Sequence, residues 1–323
     1  MLDHDAHPSA ATPVAVDQAL LTLDLIKGLG RSRLRDLLAT FGSAQALLGS
    51  DVRSLRRRTG CSPDWAESFF RRCDQAARVV EAELQAVEAL GCRLIWEGMK
   101  SYPPLLRLIP DPPLVLRIRG RFPRAVLEST QPSVALVGSR RPSAYGRRQA
   151  RRFAEFLVRH GVHLVSGGAR GIDAVVHRQA ILGAAATTAV MGSGLGCVYP
   201  PEHASLFDSI VASGGALVSE FPMHTPPRPG HFPLRNRIVS GLSLGVLVIE
   251  ASSRSGALIT ARLAVEDHGR EGGALPGRLD DPASQGCLRM IAEGWGALVR
   301  SPEEALELLT RPTPLLACQE SVR

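Results

Sequence analysis

Short apolar segments alternate with helical segments in the second half of the chain, and this alternation constrains the fold more than any other feature. The predicted strands are 134–137, 162–165, 187–191, 216–219 and 245–250. The predicted helices are 147–160, 172–182, 235–242, 257–268 and 285–293. Strands that are apolar throughout are typical of a parallel sheet covered on both faces. The alternation therefore predicts a doubly wound, mainly parallel α/β sheet.

Glycine-rich turns follow three of the predicted strands. They read VGSRR at 137–141, SGGARGID at 166–173 and MGSGLG at 191–196. In an open α/β sheet such turns meet at the carboxyl edge, where ligands bind. Glycine allows backbone amides to approach a phosphate closely, and the following helix N-termini add positive potential. The three turns together predict a phosphate-binding site at this edge.

Known cofactor and catalytic motifs do not fit the chain. The first turn is not GxGxxG, the third lacks the required glycine spacing, and GxxxxGK[ST] is absent. The nine histidines show no metal-ligand spacing, and no nucleophile motif stands out. We therefore expect no cofactor, no metal and no catalytic residue. Asp173, Glu220 and Glu266 are the remaining acid–base candidates, although such carboxylates more often pair with arginines or cap helices.

The charge of the chain favours a polyanionic partner. The net charge is +7 and the isoelectric point is about 9.5. Arginine accounts for nearly all basic residues, a ratio that a GC-rich genome would explain. Six arginines precede the first acid, Glu155, of one helical segment: Arg140, Arg141, Arg147, Arg148, Arg151 and Arg152. This run is either a track for successive phosphates or a solvated face whose partners lie elsewhere.

The first hundred residues have a different, helical pattern. The spacing of apolar residues over 17–90 predicts helices, including a long one over 63–90. The turn sequence Lys27-Gly28-Leu29-Gly30 indicates either a helix-hairpin-helix unit or a plain helical bundle. Prolines within 100–113 predict a linker into a strand near 114–116, and SPEE at 301–304 predicts a capped helix. We expect these domains: a disordered tail 1–16, a helical domain 17–99, a sheet domain 100–310 and a tail 311–323.

The expected location is the cytoplasm. No apolar run approaches the roughly 20 residues of a membrane helix, and the polar start MLDHDAHPSA is not a secretory signal. The six cysteines are scattered without a CxxC pair, which argues against a zinc ribbon or a disulfide scaffold.

Longer motifs give the chain a family resemblance. In order they are VGSRRPSAYG, VSGGARGIDAVVH, MGSGLGCVYPPEH, SEFP, HFPLRNRIVSGLS, SRSGALITARLAVEDHGRE and ALPGRLDDPASQGC, preceded by IKGLG, YPPLL and DPPLVL. Together they closely resemble the DNA-processing protein A family (DprA, also called Smf). The resemblance implies an extended Rossmann-like domain preceded by a SAM-like or helix-hairpin-helix-like domain. Many members also have a C-terminal winged-helix domain, which we do not expect in this sequence.

The same resemblance implies a function in natural transformation. Members of the family bind and protect incoming single-stranded DNA, help to load the RecA recombinase onto it, act as homodimers and have no established catalysis. The DNA-binding residues implied here are Gly138, Ser139, Arg140, Ser166, Gly167, Gly168, Arg170, Arg228, Arg235, Asn236, Arg237, Arg254, Ser255 and Gly256. Departures from the family pattern include Gly196, His203 and Asp281.

Two other function classes compete with this interpretation. Nucleotide phosphoribohydrolases share a Rossmann-type core and use a PGGxGT turn followed by a glutamate. Here the turn reads SRSGALIT before Glu266, so that catalytic signature is incomplete. A scaffold that touches only RecA would not need an edge lined with arginines, which favours the DNA-binding interpretation.

Overall fold

A computed structural model of the chain describes residues 17–128 and 131–311. The chain divides into two compact units between Val80 and Glu81. The predicted tail 1–16 and residues 312–323 of the predicted C-terminal tail lie outside the described residues.

The first unit is helical, as the apolar spacing predicts. It contains α1 (Gln18–Asp24), α2 (Arg31–Phe41), α3 (Ala44–Leu48), α4 (Val52–Thr59) and the first part of α5 (Pro63–Ala89). Side chains cap the starts of four of these helices. Asp17 Oδ1 accepts from Leu20 N at 2.9 Å, and Asp51 Oδ1 accepts from Ser54 N at 2.6 Å. In the turn between α1 and α2, Gly28 adopts a positive φ of 75°, a conformation that favours glycine.

The second unit contains a sheet of nine described strands. The strands are β1 (Cys92–Trp96), β2 (Val115–Gly120), β3 (Ser133–Val137), β4 (His163–Ser166), β5 (Thr187–Val190), β6 (Ala216–Ser219), β7 (Gly245–Val248), β8 (Glu271–Ala274) and β9 (Ala297–Leu298). Their spatial order is β1-β2-β6-β5-β4-β3-β7-β8-β9. The pairs β1–β2 and β2–β6 are antiparallel, and the others are parallel. The predicted α/β class with a mainly parallel sheet is confirmed.

Helices cover both faces of this sheet. They are α6 (Pro104–Arg107), α7 (Arg124–Glu128), α8 (Ala144–Arg159), α9 (Ile172–Leu182), α10 (Ala204–Ala212), α11 (His231–Gly241), α12 (Gly256–Arg262), α13 (Gln285–Ala292) and α14 (Pro302–Leu309). Alternate residues of β3 enter opposite cores: Val134 and Leu136 pack in the core that includes residues of α8 and α9, whereas Ala135 and Val137 pack in the core that includes residues of α11 and α12. No described helix has both the length and the apolar character that crossing a membrane requires.

Several boundaries differ from the sequence prediction. Helix α11 begins at His231, four residues before the predicted start at 235, and the predicted helix 257–268 ends as α12 at Arg262 before a π-helical turn, Leu263–Asp267. Strand β8 was not predicted because its sequence, EGGA, has few apolar side chains. A Cβ at Gly272 would lie 2.5 Å from Val265 Cγ2, so the π-helical turn packs where a side chain would stand. The predicted domain boundary at 99/100 falls between the paired strands β1 and β2.

A buried ion pair fixes the antiparallel side of the sheet. Arg117 of β2 is fully buried, and its Nε lies 2.8 Å from Glu83 Oε1 on α5. Arg117 Nη1 also donates to the carbonyl oxygen of Glu220 at 3.1 Å, and Glu83 Oε2 accepts from Met223 N at 3.0 Å. One carboxylate therefore holds α5, β2 and the loop after β6 together.

Removing one partner of this pair should destabilise the protein strongly. The change Glu83→Gln removes the carboxylate charge that faces the buried guanidinium of Arg117, and we expect the free energy of unfolding to fall by about 3 kcal/mol or more. Denaturant titration measures the loss. The control is Glu266→Gln, which breaks a half-exposed pair with Arg262 and should cost about 0.5 kcal/mol or less. Equal losses in the two variants would contradict the prediction.

Candidate functional site

A cavity of about 690 Å³ lies where the loops after β3, β4 and β7 meet the first turns of α11 and α12. The strands reach this edge with their carboxyl ends, as expected for a ligand site in a parallel sheet. Its lining residues are Val137, Gly138, Ser139, Arg140, Arg141, Gly167, Ala169, Asp173, Tyr199, Pro227, Arg228, Pro229, Phe232, Pro233, Arg235, Asn236, Val239, Ser252, Ser255, Gly256, Ala257, Ile259 and Thr260.

Glu250 anchors the first glycine-rich turn of this site. Its carbonyl oxygen accepts from Ser139 N at 2.7 Å, and its Oε1 accepts from Ser143 N at 2.9 Å. The Ser143 hydroxyl donates to the other carboxylate oxygen and accepts from Gly146 N at 3.0 Å, which caps α8. Glu250 is 3% exposed. Its carboxylate is therefore occupied in fixing the turn and makes no ion pair with an arginine of the cavity.

A buried arginine and a buried aspartate lie under the second turn. Arg235 Nη1 donates to the Val190 carbonyl at 2.7 Å, and Asp173 Oδ2 accepts from Ala169 N at 3.2 Å. Burial lowers the pKa of Arg235 to about 10 against the opposing effect of Asp173. Burial likewise raises the pKa of Asp173, opposed by the positive charge of Arg235. Both groups line the cavity, so its floor holds a cation and an acid side by side.

Gly167 makes this close packing possible. A Cβ at Gly167 would stand 2.0 Å from Arg235 Nη1 and 2.7 Å from Asp173 Oδ2. A side chain larger than hydrogen would thus displace either the guanidinium or the carboxylate.

Arginine and aromatic side chains alternate at the rim. The Arg140 guanidinium carbon lies 4.9 Å from the centre of the Phe232 ring, and the Phe232 and Tyr199 ring centres are 5.6 Å apart. The Arg170 guanidinium lies 5.8 Å from the Tyr199 ring centre and also pairs with Glu202. Arg140 is exposed and makes no ion pair with any described residue. Cations over aromatic faces and open aromatic rings are the groups that bind phosphates and stack on bases.

The structure brings most of the predicted site residues together. Nine of them line the cavity: Gly138, Ser139, Arg140, Gly167, Arg228, Arg235, Asn236, Ser255 and Gly256. Arg170 lines a small adjoining pocket that shares Arg140, Gly167, Tyr199, Phe232 and Arg235 with the cavity. Asn236 Nδ2 donates to the Gly256 carbonyl at 3.2 Å and so joins α11 to the start of α12.

Four predicted residues lie outside the cavity lining. The hydroxyl of Ser166 is buried and donates to the Leu136 carbonyl at 2.7 Å. Gly168 packs near Phe207, where its Cβ position is 3.2 Å from a ring carbon. Arg237 is buried and pairs with Glu220 at 2.7 Å and Asp111 at 3.2 Å. Arg254 is exposed in the loop before α12. Internal hydrogen bonds and ion pairs already occupy the polar groups of Ser166 and Arg237, so a role for these two residues in DNA binding stays a prediction.

Sequence reasoning missed the aromatic side chains of the site. Tyr199 and Phe232 stand inside the quoted motifs VYPP and HFP, but a low aromatic content of 5% gave no reason to single them out. Ser252 and Thr260 were also missed as lining residues, whereas Arg141 was identified only as part of the arginine run. The usable signal was position, since each of the two aromatic residues adjoins a proline, Pro200 or Pro233, in a glycine- and proline-rich segment.

Of the three carboxylates considered as acids or bases, one lines the cavity. Asp173 does so, whereas Glu220 pairs with Arg237. Glu266 is half-exposed, pairs with Arg262 at 3.1 Å and does not line the cavity. The SGALIT turn and its following glutamate therefore do not converge as a phosphoribohydrolase site requires. Within residues 17–128 and 131–311, no cluster of three or more His, Cys, Asp or Glu side chains could hold a metal ion.

A family model and the similar curated proteins indicate the same protein family for this chain. The family model of DNA recombination-mediator protein A matches residues 93–310. The chain is 46% identical over 230 residues to protein Smf of Escherichia coli, an alignment that covers 71% of this chain and 60% of that protein. It is 39% identical over 226 residues to the DNA processing protein DprA of Bacillus subtilis, covering 70% of this chain and 74% of that protein. The chain spans about half to three fifths of the Smf proteins of E. coli and Synechocystis.

Solved structures agree with the sequence relatives. The DNA processing protein A of Streptococcus pneumoniae superposes with a TM-score of 0.77 at 30% identity, covering 93% of this chain and all of that one. The DNA processing protein A of Helicobacter pylori, described for its single-stranded DNA binding mode, gives a TM-score of 0.58 at 27% identity. That alignment covers 67% of this chain and 94% of the H. pylori chain.

The close packing at Gly167 generates a stability prediction. The change Gly167→Ala should lower the free energy of unfolding by about 1–3 kcal/mol, because the added methyl overpacks the buried Arg235 and Asp173. Denaturant titration measures the change. Gly256→Ala is the matched control, since nothing lies within 4 Å of its Cβ position at the start of α12. That control should be neutral or stabilising by up to about 1 kcal/mol; a loss in it equal to that of Gly167→Ala would contradict the packing argument.

Proposed function

The chain belongs to the DNA recombination-mediator protein A family, and from that premise we propose that its cavity binds single-stranded DNA. The observation that carries the proposal is the rim, where the exposed Arg140 lies over Phe232 without an ion pair to any described residue. A guanidinium held open beside aromatic rings offers both a planar fork for a phosphate and a face for a base.

Further features of the cavity support a single strand over a duplex. Exposed Arg228 lines one wall, and the hydroxyl of Ser255 and the backbone of Gly256 line another. The rings of Tyr199 and Phe232 could stack only on bases that are not paired within a helix. The lining offers guanidinium and hydroxyl groups for phosphates and aromatic rings for base faces, so we expect little sequence preference.

The biological role that we propose is the one implied by the family. The chain would bind and protect incoming single-stranded DNA in the cytoplasm during natural transformation. It would act as a homodimer, help to load RecA onto the strand, and do so without a cofactor or a catalytic step. The position of Glu266 outside the cavity supports this role over the phosphoribohydrolase alternative.

Substitution of Arg140 tests the binding site. The change Arg140→Ala should weaken binding to single-stranded oligonucleotides of every sequence. It should also reduce the slope of log affinity against log salt by roughly 0.7, the value for one lost single-strand phosphate contact. Fluorescence anisotropy at several salt concentrations measures both quantities.

The matched control for this test is Arg178→Ala, which removes the same charge from an exposed position on α9 outside the cavity lining. Both variants should retain the melting temperature of the parent chain. Tighter binding of the parent chain to duplex than to single strands, or an unchanged salt slope in Arg140→Ala, would contradict the proposal.

RecA loading gives a separate test of the role. The purified chain should shorten the lag of RecA filament formation on single-stranded DNA coated with a single-strand-binding protein. The Arg140→Ala variant should shorten it less, because it reaches the strand with lower affinity. Filament growth followed by fluorescence measures the lag, and an unchanged lag with the parent chain would contradict the RecA part of the proposal.

A further inference from the structure

A second, separate groove runs along the exposed face of α8. Its volume is about 590 Å³. Five arginines line it, with two glutamates and an apolar strip formed by Phe156 and Pro302. The arginines are Arg147, Arg148, Arg151, Arg152 and Arg159. We call this surface the α8 groove.

Most of the positive charge in the α8 groove has no carboxylate partner. Glu155 pairs with Arg159. Arg147 donates to the Pro142 carbonyl at 2.6 Å, and the Arg148 guanidinium lies 5.9 Å from the Tyr145 ring centre. Neither of them makes an ion pair with a described residue, and the same holds for Arg151 and Arg152. Glu303 lies close enough to feel one of these charges: its hydrogen bond with Ser301 and, to a smaller extent, the positive charge of Arg152 lower its pKa.

This arrangement differs from that of several other helices in the same unit. In or beside those helices, exposed arginines pair with a glutamate four residues away, as in Arg124–Glu128, Arg262–Glu266, Arg289–Glu293 and Arg311–Glu307. Such pairs balance the charge of a solvated helix face. The arginines between 147 and 152 of the α8 groove depart from this pairing, whereas Arg159 follows it.

We propose that the α8 groove is a second contact surface for the phosphates of the single strand held in the cavity, an inference that rests on the proposed function. The two surfaces are joined by a short length of chain. Arg141 lines the cavity, Ser143 caps α8, and Ala144 already lines the α8 groove. Single-stranded DNA that leaves the cavity past the start of α8 therefore reaches a surface whose arginines, Arg159 excepted, make no ion pair with a described residue.

The spacing of the arginines suits a linear polyanion. Arg147 and Arg151 lie one helical turn apart, as do Arg148 and Arg152, so each pair is separated by about 6 Å along the axis of α8. The partly exposed ring of Phe156 gives the sugar or base of a flexible strand a contact between the phosphates.

The arginines of the α8 groove can be replaced without disturbing the core. The opposite face of α8 carries its buried residues Ala150, Phe153, Ala154 and Leu157. Arg151 and Arg152 are both exposed. Their replacement by glutamine keeps the helix propensity close to that of arginine, so the variant is expected to fold like the parent chain.

The test compares strand lengths in the full chain. Oligonucleotides of about 6 and about 30 nucleotides bracket the range of sizes that single-strand-binding modules cover. The double variant Arg151→Gln/Arg152→Gln should bind the short strand like the parent chain. For the long strand, its slope of log affinity against log salt should be smaller by about 1.4, corresponding to two lost contacts. The charge-matched control is Arg262→Gln/Arg289→Gln, whose arginines form ion pairs outside both surfaces.

The outcomes separate this inference from the proposed function. If the double variant and the control variant give the same slope of log affinity against log salt on the long oligonucleotide, the inference about the α8 groove is wrong. The Arg140→Ala variant tests the cavity independently of that result. An equal loss on short and long strands overturns it too, because the effect would then be general charge rather than a second contact. A loss confined to duplex DNA also overturns it. If the parent chain binds neither strand length, the proposed function itself fails.

Discussion

The cavity and the α8 groove both depend on the buried carboxylate of Glu250. The carboxylate accepts hydrogen bonds from the amide and the hydroxyl of Ser143, the residue that caps α8. The backbone carbonyl of Glu250 accepts a hydrogen bond from Ser139 N in the first glycine-rich turn. Glycine is needed on both sides of it: a Cβ at Gly146 would lie 2.6 Å from Glu250 Oε2, and one at Gly138 would lie 2.9 Å from its carbonyl oxygen. One acid at the end of β7 thus sets the position of the turn, of α8 and of the arginines on both.

Burial divides the arginines of the sheet unit into two kinds. Arg117, Arg235 and Arg237 are buried, and their guanidinium groups bond to carbonyls and carboxylates of neighbouring elements. Exposed arginines such as Arg140 and Arg151 lie at the two surfaces without ion pairs to described residues. An arginine that already satisfies internal acceptors cannot turn to a ligand without leaving them unpaired. Charge alone therefore overstates how many arginines can bind a phosphate.

The sequence could predict the elements whose side chains carry the periodic signal. Helix α9 and strand β6 have the predicted bounds, 172–182 and 216–219. Strand β8 could not be predicted because its glycines carry no pattern. At the site, Arg235 and Arg237 stand in one motif, yet residues two apart on a helix point in different directions. Arg235 reaches the cavity and Arg237 reaches Glu220. That distinction needs the orientation of α11, which depends on packing between distant segments.

The buried Arg235 gives the cavity a fixed positive charge that differs in kind from that of the rim. Burial lowers its pKa to about 10, so the guanidinium remains protonated at neutral pH. Its bond to the Val190 carbonyl holds it in place before any ligand arrives. An exposed arginine loses side-chain freedom and hydration when it binds a phosphate. A buried and oriented guanidinium has already lost both during folding. The floor therefore holds a guanidinium oriented in advance beside Asp173, whereas the exposed arginines of the rim and of the α8 groove would adapt to the path of the proposed strand.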